Sequence, residues 1–370
     1  MTSISKTEAA FIELIRCALE DRTPDQTEEM LAEVFPLAKK QSLSALTYLA
    51  VSKLPIKNEI TAKWREENLK AIRKQAMFDA ERAKVYEMLE NIGSWYMPLK
   101  GLILRDYYPQ PYLRQMSDND ILFDRSYRGQ VKTYFFSQGY EQEQEEDEWI
   151  IHDVYVKKPN LNFEMHFDLF DEDYGNDHFV AYYKNVRERL TDTTDSKCRK
   201  AFRPEDFYLY TKVHEYKHFR YYGTGLRSLV DTYLYLKAEG DTLDWAYIQQ
   251  ELEKLGIAAY ERDARDLAEQ LFTGQELNPQ QEEMLTYYLR GGTYGSIGNY
   301  VRHKMEGESK GKYIWHRLFP DDELMAAWCK MYAPKLGEKK HYRIARIYRL
   351  LTHGLSGKGQ KEIETLKQMK

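Results

Sequence analysis

Cysteine is scarce in this chain. Cys17, Cys198 and Cys329 are the three in 370 residues, far apart and without paired spacing. Three lone thiols build neither a disulfide framework nor a zinc knuckle, and they suit a reducing compartment. An excess of positive charge is also missing. Lys and Arg number 54 against 59 Asp and Glu, a net charge of −5. That excludes a general nucleic-acid coat protein, although it leaves room for a local basic groove. No run approaches the ~20 consecutive apolar residues of a membrane-spanning helix. The opening residues, MTSISKTEAAFIELIRCALEDRT, have no basic segment followed by an unbroken apolar core, so they read as an amphipathic helix and not as a signal peptide. The expectation is a cytoplasmic protein with no membrane segment. Internal repeats are absent too.

What remains is globular: 42% apolar and 31% charged residues, with length for two or three domains. Tyrosine, at 30 copies, outnumbers Phe (15) and Trp (6), which suggests many half-buried amphipathic surfaces without selecting a function.

Residues 1–92 read as helix. Phe11, Leu14, Ile15, Ala18 and Leu19 keep the spacing of one buried face. Thr23-Pro24 suggests a second helix start, with Glu28 and Glu29 in its first turn. A third pattern runs from Asn58 to Asn91 without proline or glycine and ends at Gly93. At Ser94 the pattern changes. WYMPL is short and apolar, a strand that turns into a helix at Lys100-Gly101. Pro109 and Pro111 then end that helix in a loop carrying Arg114. A second strand spans Asp118–Phe123, and a helix spans Tyr127–Gln138 and closes at Gly139. Six of the eight residues from Glu141 to Glu148 are acidic, a solvated turn or hairpin tip between strands. LNFEMHFDL then alternates, with Leu161, Phe163, Met165, Phe167 and Leu169 on one face and Asn162, Glu164, His166 and Asp168 on the other. From Arg203 the chain is helical again, with segments from Pro204, from Gly225-Leu226 to Leu236, and over 245–255, 258–271 and 279–289. The glycine-rich GGTYGSIG (291–298) reads as a loop, and the tail from Ser309 is basic.

The chemistry concentrates in carboxylates. Asp118 and Asp120 are two apart on a strand and project on one face, roughly 6.5 Å apart. Such a pair suits Mg²⁺, which takes hard oxygen ligands and keeps substrate phosphates in its remaining positions. Two such ions, about 4 Å apart, stabilise the attacking and leaving oxygens of phosphoryl transfer. Glu164, on the polar face of a neighbouring strand, is the candidate third carboxylate. Lys100-Gly101 opens a helix whose N–H groups attract phosphate, and Arg114 is placed to neutralise a triphosphate. Alone, an Asp-x-Asp pair is more often a polar turn; its company raises the functional reading.

The string LKG, then YPQPYLRQMSDNDILF, then FEMHF some forty residues on, resembles a family of bacterial nucleotidyltransferases with a polymerase-β-like fold. VHEYKH, GLRSLVDTYLYL, GGTYGS and RLFP look like the family's helical region, so the resemblance covers roughly Ser94–Pro320. By position it implies Asp118, Asp120 and Glu164 as catalytic metal ligands for two Mg²⁺, or Mn²⁺ in their place. Lys100, Gly101 and Arg114 become nucleotide-side residues. The chain departs from the polymerase-β-like pattern in carrying Lys100-Gly101 where a Gly-Ser pair is usual. The implied fold is α+β: a helical region over 1–92, a nucleotidyltransferase core with a small mixed sheet over 93–202, and a helical domain over 203–370. The implied reaction moves a nucleoside monophosphate from a nucleoside triphosphate to an acceptor, which the sequence leaves open among small molecule, peptide and RNA, and releases pyrophosphate.

A competing pattern is His214-Glu215-Tyr216-Lys217-His218, the H-E-x-x-H of zinc peptidases, with Glu215 as base and Glu239 as a conceivable third ligand. The bland alternative is histidines packed against the sheet domain. A non-catalytic relative that binds a nucleotide or a protein is the third class. Tyr107, Tyr108 and Tyr112 suit either base stacking or an aromatic cluster, and Arg227 and Asp231 stand at i, i+4, where they would pair with each other.

Overall fold

The computed structural model describes residues 4–143, 151–171, 177–221, 223–293, 295, 325, 329 and 339–354. Four helices come first: α1 (Lys6–Leu19), α2 (Glu28–Lys40), α3 (Ser44–Val51) and α4 (Glu59–Ile92). A capping box starts α1: the Ser5 hydroxyl accepts from the Glu8 amide while the Glu8 carboxylate accepts from the Ser5 amide. The face read from the sequence is buried, including Phe11, Leu14 and Ile15. Helix α2 begins later than its proline signal, because the acceptor that satisfies its first amides is the Thr27 hydroxyl, bonded to the Met30 amide. Pro24 stays in the connection. Helix α4 runs 34 residues from an Asn58 cap to Gly93, whose φ of +74° gives the left-handed C-cap that only glycine takes without cost.

The sheet follows. Strands β1 (Tyr96–Pro98), β2 (Asn119–Phe123), β3 (Glu141–Gln142), β4 (His152–Lys157) and β5 (Leu161–His166) lie in the order β1-β2-β5-β4-β3. β2 and β5 are parallel, and the other neighbours are antiparallel. Helices α5 (Gly101–Leu104) and α6 (Arg128–Ser137) connect the early strands. Strands β3 and β4 form the hairpin expected around the acidic run, of which residues 144–150 lie outside the described ones.

Alternation along β2 and β5 divides the apolar residues between two cores. Ile121, Phe123, Phe163 and Met165 pack under α4 and α6 with Phe78, Val85, Leu89, Val131 and Phe135. Phe135 stacks on Tyr155 with ring centroids 4.2 Å apart, and burying each such ring contributes roughly 2–3 kcal/mol. On the opposite face Met97, Leu99 and Leu122 pack with Tyr210 and Val213 of α8 (Pro204–Tyr221) and Tyr235 of α9 (Leu226–Glu239). The alternating run from Leu161 is shorter than its pattern. β5 ends at His166, so Phe167 stays with the first core while Leu169 joins the second.

Helices α10 (Trp245–Lys254), α11 (Ala258–Thr273) and α12 (Pro279–Gly291) fall where the periodicity placed them. The sequence did not signal α7 (Asp177–Tyr183) or the hairpin β6 (Leu190–Asp192) with β7 (Lys200–Phe202). The architecture is α+β, a small mixed sheet among many helices. By packing, the chain divides into two compact units: Met1–Lys217 with Gly225–Thr293, and His218–Thr224 with Tyr294–Lys370. In the second unit Met325, Cys329, Tyr342 and Ala345 bury against one another, the last two on the helix Tyr342–Gly354. Most of the basic tail, and residues 294 and 296–298 of the glycine-rich loop, lie outside the described residues. Among the described residues no helix is long and apolar enough to cross a membrane.

Candidate active site

The parallel pairing of β2 with β5 builds the site. Its register sets Asp120 beside Glu164 and Leu122 beside His166. Partners in a parallel pair share a face, so Asp120, Glu164 and His166 stand together on the side of the sheet that α8 covers. Asn119 points the other way and anchors the strand. Its side-chain oxygen accepts from Arg82 of α4 at 2.9 Å, and its amide donates to the Asn162 carbonyl of β5 at 3.3 Å. The alternation in Ser117-Asp118-Asn119-Asp120 therefore separates a structural residue from two chemical ones.

Lys100 has φ +46° and ψ −115°, a conformation costly for a residue with a Cβ. From that turn its Nζ reaches Asp120 Oδ1 at 2.7 Å. His166 Nε2 lies 3.1 Å from the same oxygen and 3.4 Å from Glu164 Oε2. Carboxylate oxygens only accept, so Nε2 carries the proton. Burial opposes charge on Asp120, yet Lys100 and His166 together hold its pKa well below the usual carboxylate range. Burial likewise disfavours the His166 imidazolium, but its hydrogen bonds to Asp120 and Glu164 win, and its pKa is raised. Among the described residues, no cationic side chain hydrogen-bonds to Asp118. Burial first, then the charges of Asp120 and Glu164, push it up to about 6, against the lowering hydrogen bond from Ser117 at 2.7 Å and the charge of Lys100. It is the group in the site whose charge is least compensated.

Gly101 and Arg114 meet, but not in the way the sequence implied. A Cβ on Gly101 would overlap the Arg114 guanidinium and crowd Met116 Sδ. Arg114 is 7% exposed and donates two hydrogen bonds to Asp231, at 2.8 and 2.7 Å, while the Tyr108 hydroxyl donates to the same carboxylate at 2.8 Å. Arg114 still senses the charge of Asp118, but its fork is filled from α9. Asp231 thus pairs with Arg114, and the Arg227 guanidinium donates to the Gln115 carbonyl. Tyr107 and Tyr108 are likewise spent on Glu239 and Asp231.

Three residues near the site carried no usable sequence signal. Tyr210 of α8 is buried where it feels Lys100, Asp120 and Glu164. Lys74 of α4 lies near Asp118, with burial lowering its pKa against that charge, and donates to the Ser117 carbonyl at 3.5 Å. His152 of β4 pairs with His166, their rings 4.7 Å apart, and burial with the His166 charge pushes its pKa down to about 4. His152 by itself could have been noticed, but its pairing with His166 across the hairpin could not.

The H-E-x-x-H helix is arranged differently from a zinc site. Glu215 is buried and accepts from Lys212 Nζ at 2.6 Å and from the Tyr288 hydroxyl at 2.7 Å. His214 is half-buried beside Tyr210, with ring centroids 6.3 Å apart, and Glu239 accepts from Tyr107 at 3.1 Å. Among the described residues, the trio of metal-capable side chains that converges within 4.8 Å is His152, Glu164 and His166.

No curated protein and no solved structure matches the chain. Its residues 27–273, well over half the length and including every site residue above, match the family described as uncharacterised nucleotidyltransferase, to which this chain therefore belongs.

Proposed function

We propose that the protein is a metal-dependent enzyme that transfers a nucleoside monophosphate from a nucleoside triphosphate to an acceptor, with release of pyrophosphate. The observation that carries this reading is the β2–β5 register, which sets Asp120 against Glu164 with Asp118 one step away on the same run. Their carboxylates are hard oxygen donors of the kind Mg²⁺ takes, and the raised pKa of Asp118 marks a carboxylate that a cation would relieve. Asp118, Asp120 and Glu164 would hold the metal, which when bound supplies charge stabilisation for the triphosphate oxygens. Glu164 has a side chain 24% exposed against 7% for Asp120, so it is the carboxylate best placed to take the proton of an acceptor hydroxyl. Lys100, beside Asp120, would bring positive charge to the triphosphate, and Arg114 shapes the turn by seating Gly101. The acceptor is a small molecule, a peptide or an RNA.

The test is incubation with each labelled triphosphate, Mg²⁺ and cell extract. One triphosphate should label a discrete molecule, and the double variant Asp118→Ala/Asp120→Ala should abolish both labelling and Mg²⁺-dependent triphosphate binding. Unchanged behaviour of that variant would sink the proposal. A second reading, a non-catalytic nucleotide binder, draws on the ammonium of Lys100 already sitting at Asp120; it predicts triphosphate binding without turnover.

A further inference from the structure

Beyond nucleotidyl transfer, the structure assigns a second metal site, for a divalent transition-metal ion of the zinc type, to His152, Glu164 and His166. The argument begins with the hairpin β4–β5. Its register pairs His152 with His166 and Val154 with Glu164. Glu164 and His166 are two apart on one strand and His152 stands opposite, so all three side chains share one face of the sheet. One ligand atom from each converges within 4.8 Å.

The second observation is independent of that convergence. Among the described residues, His166 is 3% exposed and its Nδ1 finds no hydrogen-bond partner, and His152 Nδ1 is likewise buried without one. Buried imidazole nitrogens are normally satisfied, and two orphaned on facing rings require an explanation. A cation supplies it. The Nε2–H of His166 is directed at Asp120 Oδ1, which is how metal-ligating histidines are oriented, with one nitrogen on a carboxylate and the other on the ion. Two imidazoles and one carboxylate form a borderline-soft donor set. It favours Zn²⁺ or a neighbouring transition metal over Mg²⁺, and leaves a fourth position for water or a substrate oxygen. Glu164 belongs also to the proposed transfer centre, while His152 does not, so the two sites are separable by mutation.

The experiment is equilibrium dialysis of the full chain against Zn²⁺ with metal analysis, repeated with Co²⁺ for its absorption spectrum. The wild type should retain one equivalent, and the Co²⁺ spectrum should show nitrogen and oxygen ligation without a thiolate charge-transfer band, which eliminates the three cysteines. His152→Ala should lose at least about 100-fold in affinity, more than the 10–100-fold typical of removing an outer partner. His152→Gln, which preserves volume, should lose it equally while its circular dichroism matches the wild type. Asp118→Ala and His214→Ala should both keep the zinc. The first shows that a failure of the transfer reading leaves this site standing, and the second separates it from the H-E-x-x-H helix. No stoichiometric retention, retention unchanged in both His152 variants, a thiolate band, or loss in His214→Ala would each overturn the assignment.

Discussion

Replacing Asp118 by asparagine should make the metal-free protein more stable at neutral pH. The carboxylate is pushed from an ordinary 3.8 to about 6, by burial above all and then by Asp120 and Glu164. Two units at ~1.4 kcal/mol each give about 3 kcal/mol as an upper bound. A folded-state pKa above the unfolded one means that the native state holds the proton more tightly. Stability from this group is therefore complete below about pH 4, declines as the pH rises through about 6, and is lowest above it. Asparagine keeps the oxygen that accepts from Ser117 and removes the charge. Scanning calorimetry of Asp118→Asn against wild type should show a rise in Tm of a few degrees at about pH 7.5 and almost none at about pH 4. Saturating Mg²⁺ should close the gap at neutral pH, by stabilising the wild type alone. Equal stabilisation at both pH values would trace the effect to packing, and no stabilisation at about pH 7.5 would refute the idea of an uncompensated carboxylate. A stability gain on removing a site residue is the expected signature of a function that the fold accommodates at a cost.

Lys100→Met should leave Asp120 with the hydrogen bond from His166 and without its ammonium partner, and cost on the order of 3 kcal/mol at neutral pH, measured by urea unfolding. Asp120 has a depressed pKa, so this loss should shrink as the pH falls through the acid range and Asp120 is protonated; a pH-independent loss would contradict it. Gly101→Ala should cost about 1–3 kcal/mol by driving a methyl into Arg114, and should be less than additive with Arg114→Ala. Arg114→Lys should behave as a disruptive change, about 2–4 kcal/mol, because an ammonium cannot fill the two-pronged contact with Asp231. Phe163→Ala, in the core beneath the site, should cost about 3–5 kcal/mol and leave the metal affinity of surviving folded protein largely intact.

Local signals carried much of this molecule. Gly93, the caps at Ser5 and Asn58, and the proline start at Pro204 each act through backbone groups within four residues, so the helices they bound could be read directly. The Lys-Gly turn and the Asp-x-Asp strand are legible for the same reason, since one residue offset decides which side chains share a face. Thr27 against Pro24 shows the limit of that logic, because two plausible starts compete and the better acceptor wins.

The sequence by itself determined the α+β order of elements, the family, and Asp118 and Asp120 as a pair. The tertiary structure alone decided what each charge faces. Asp120 meets Lys100 from 20 residues away and His166 from 46; Arg114 is claimed by Asp231 at a separation of 117. Glu215 turns from a candidate base into part of a buried network with Lys212 and Tyr288. His152 reaches His166 only because β4 and β5 pair in one register. The reason is physical: periodicity encodes which face a residue occupies, whereas the ionic partner on that face depends on strand pairing and packing between segments distant in sequence.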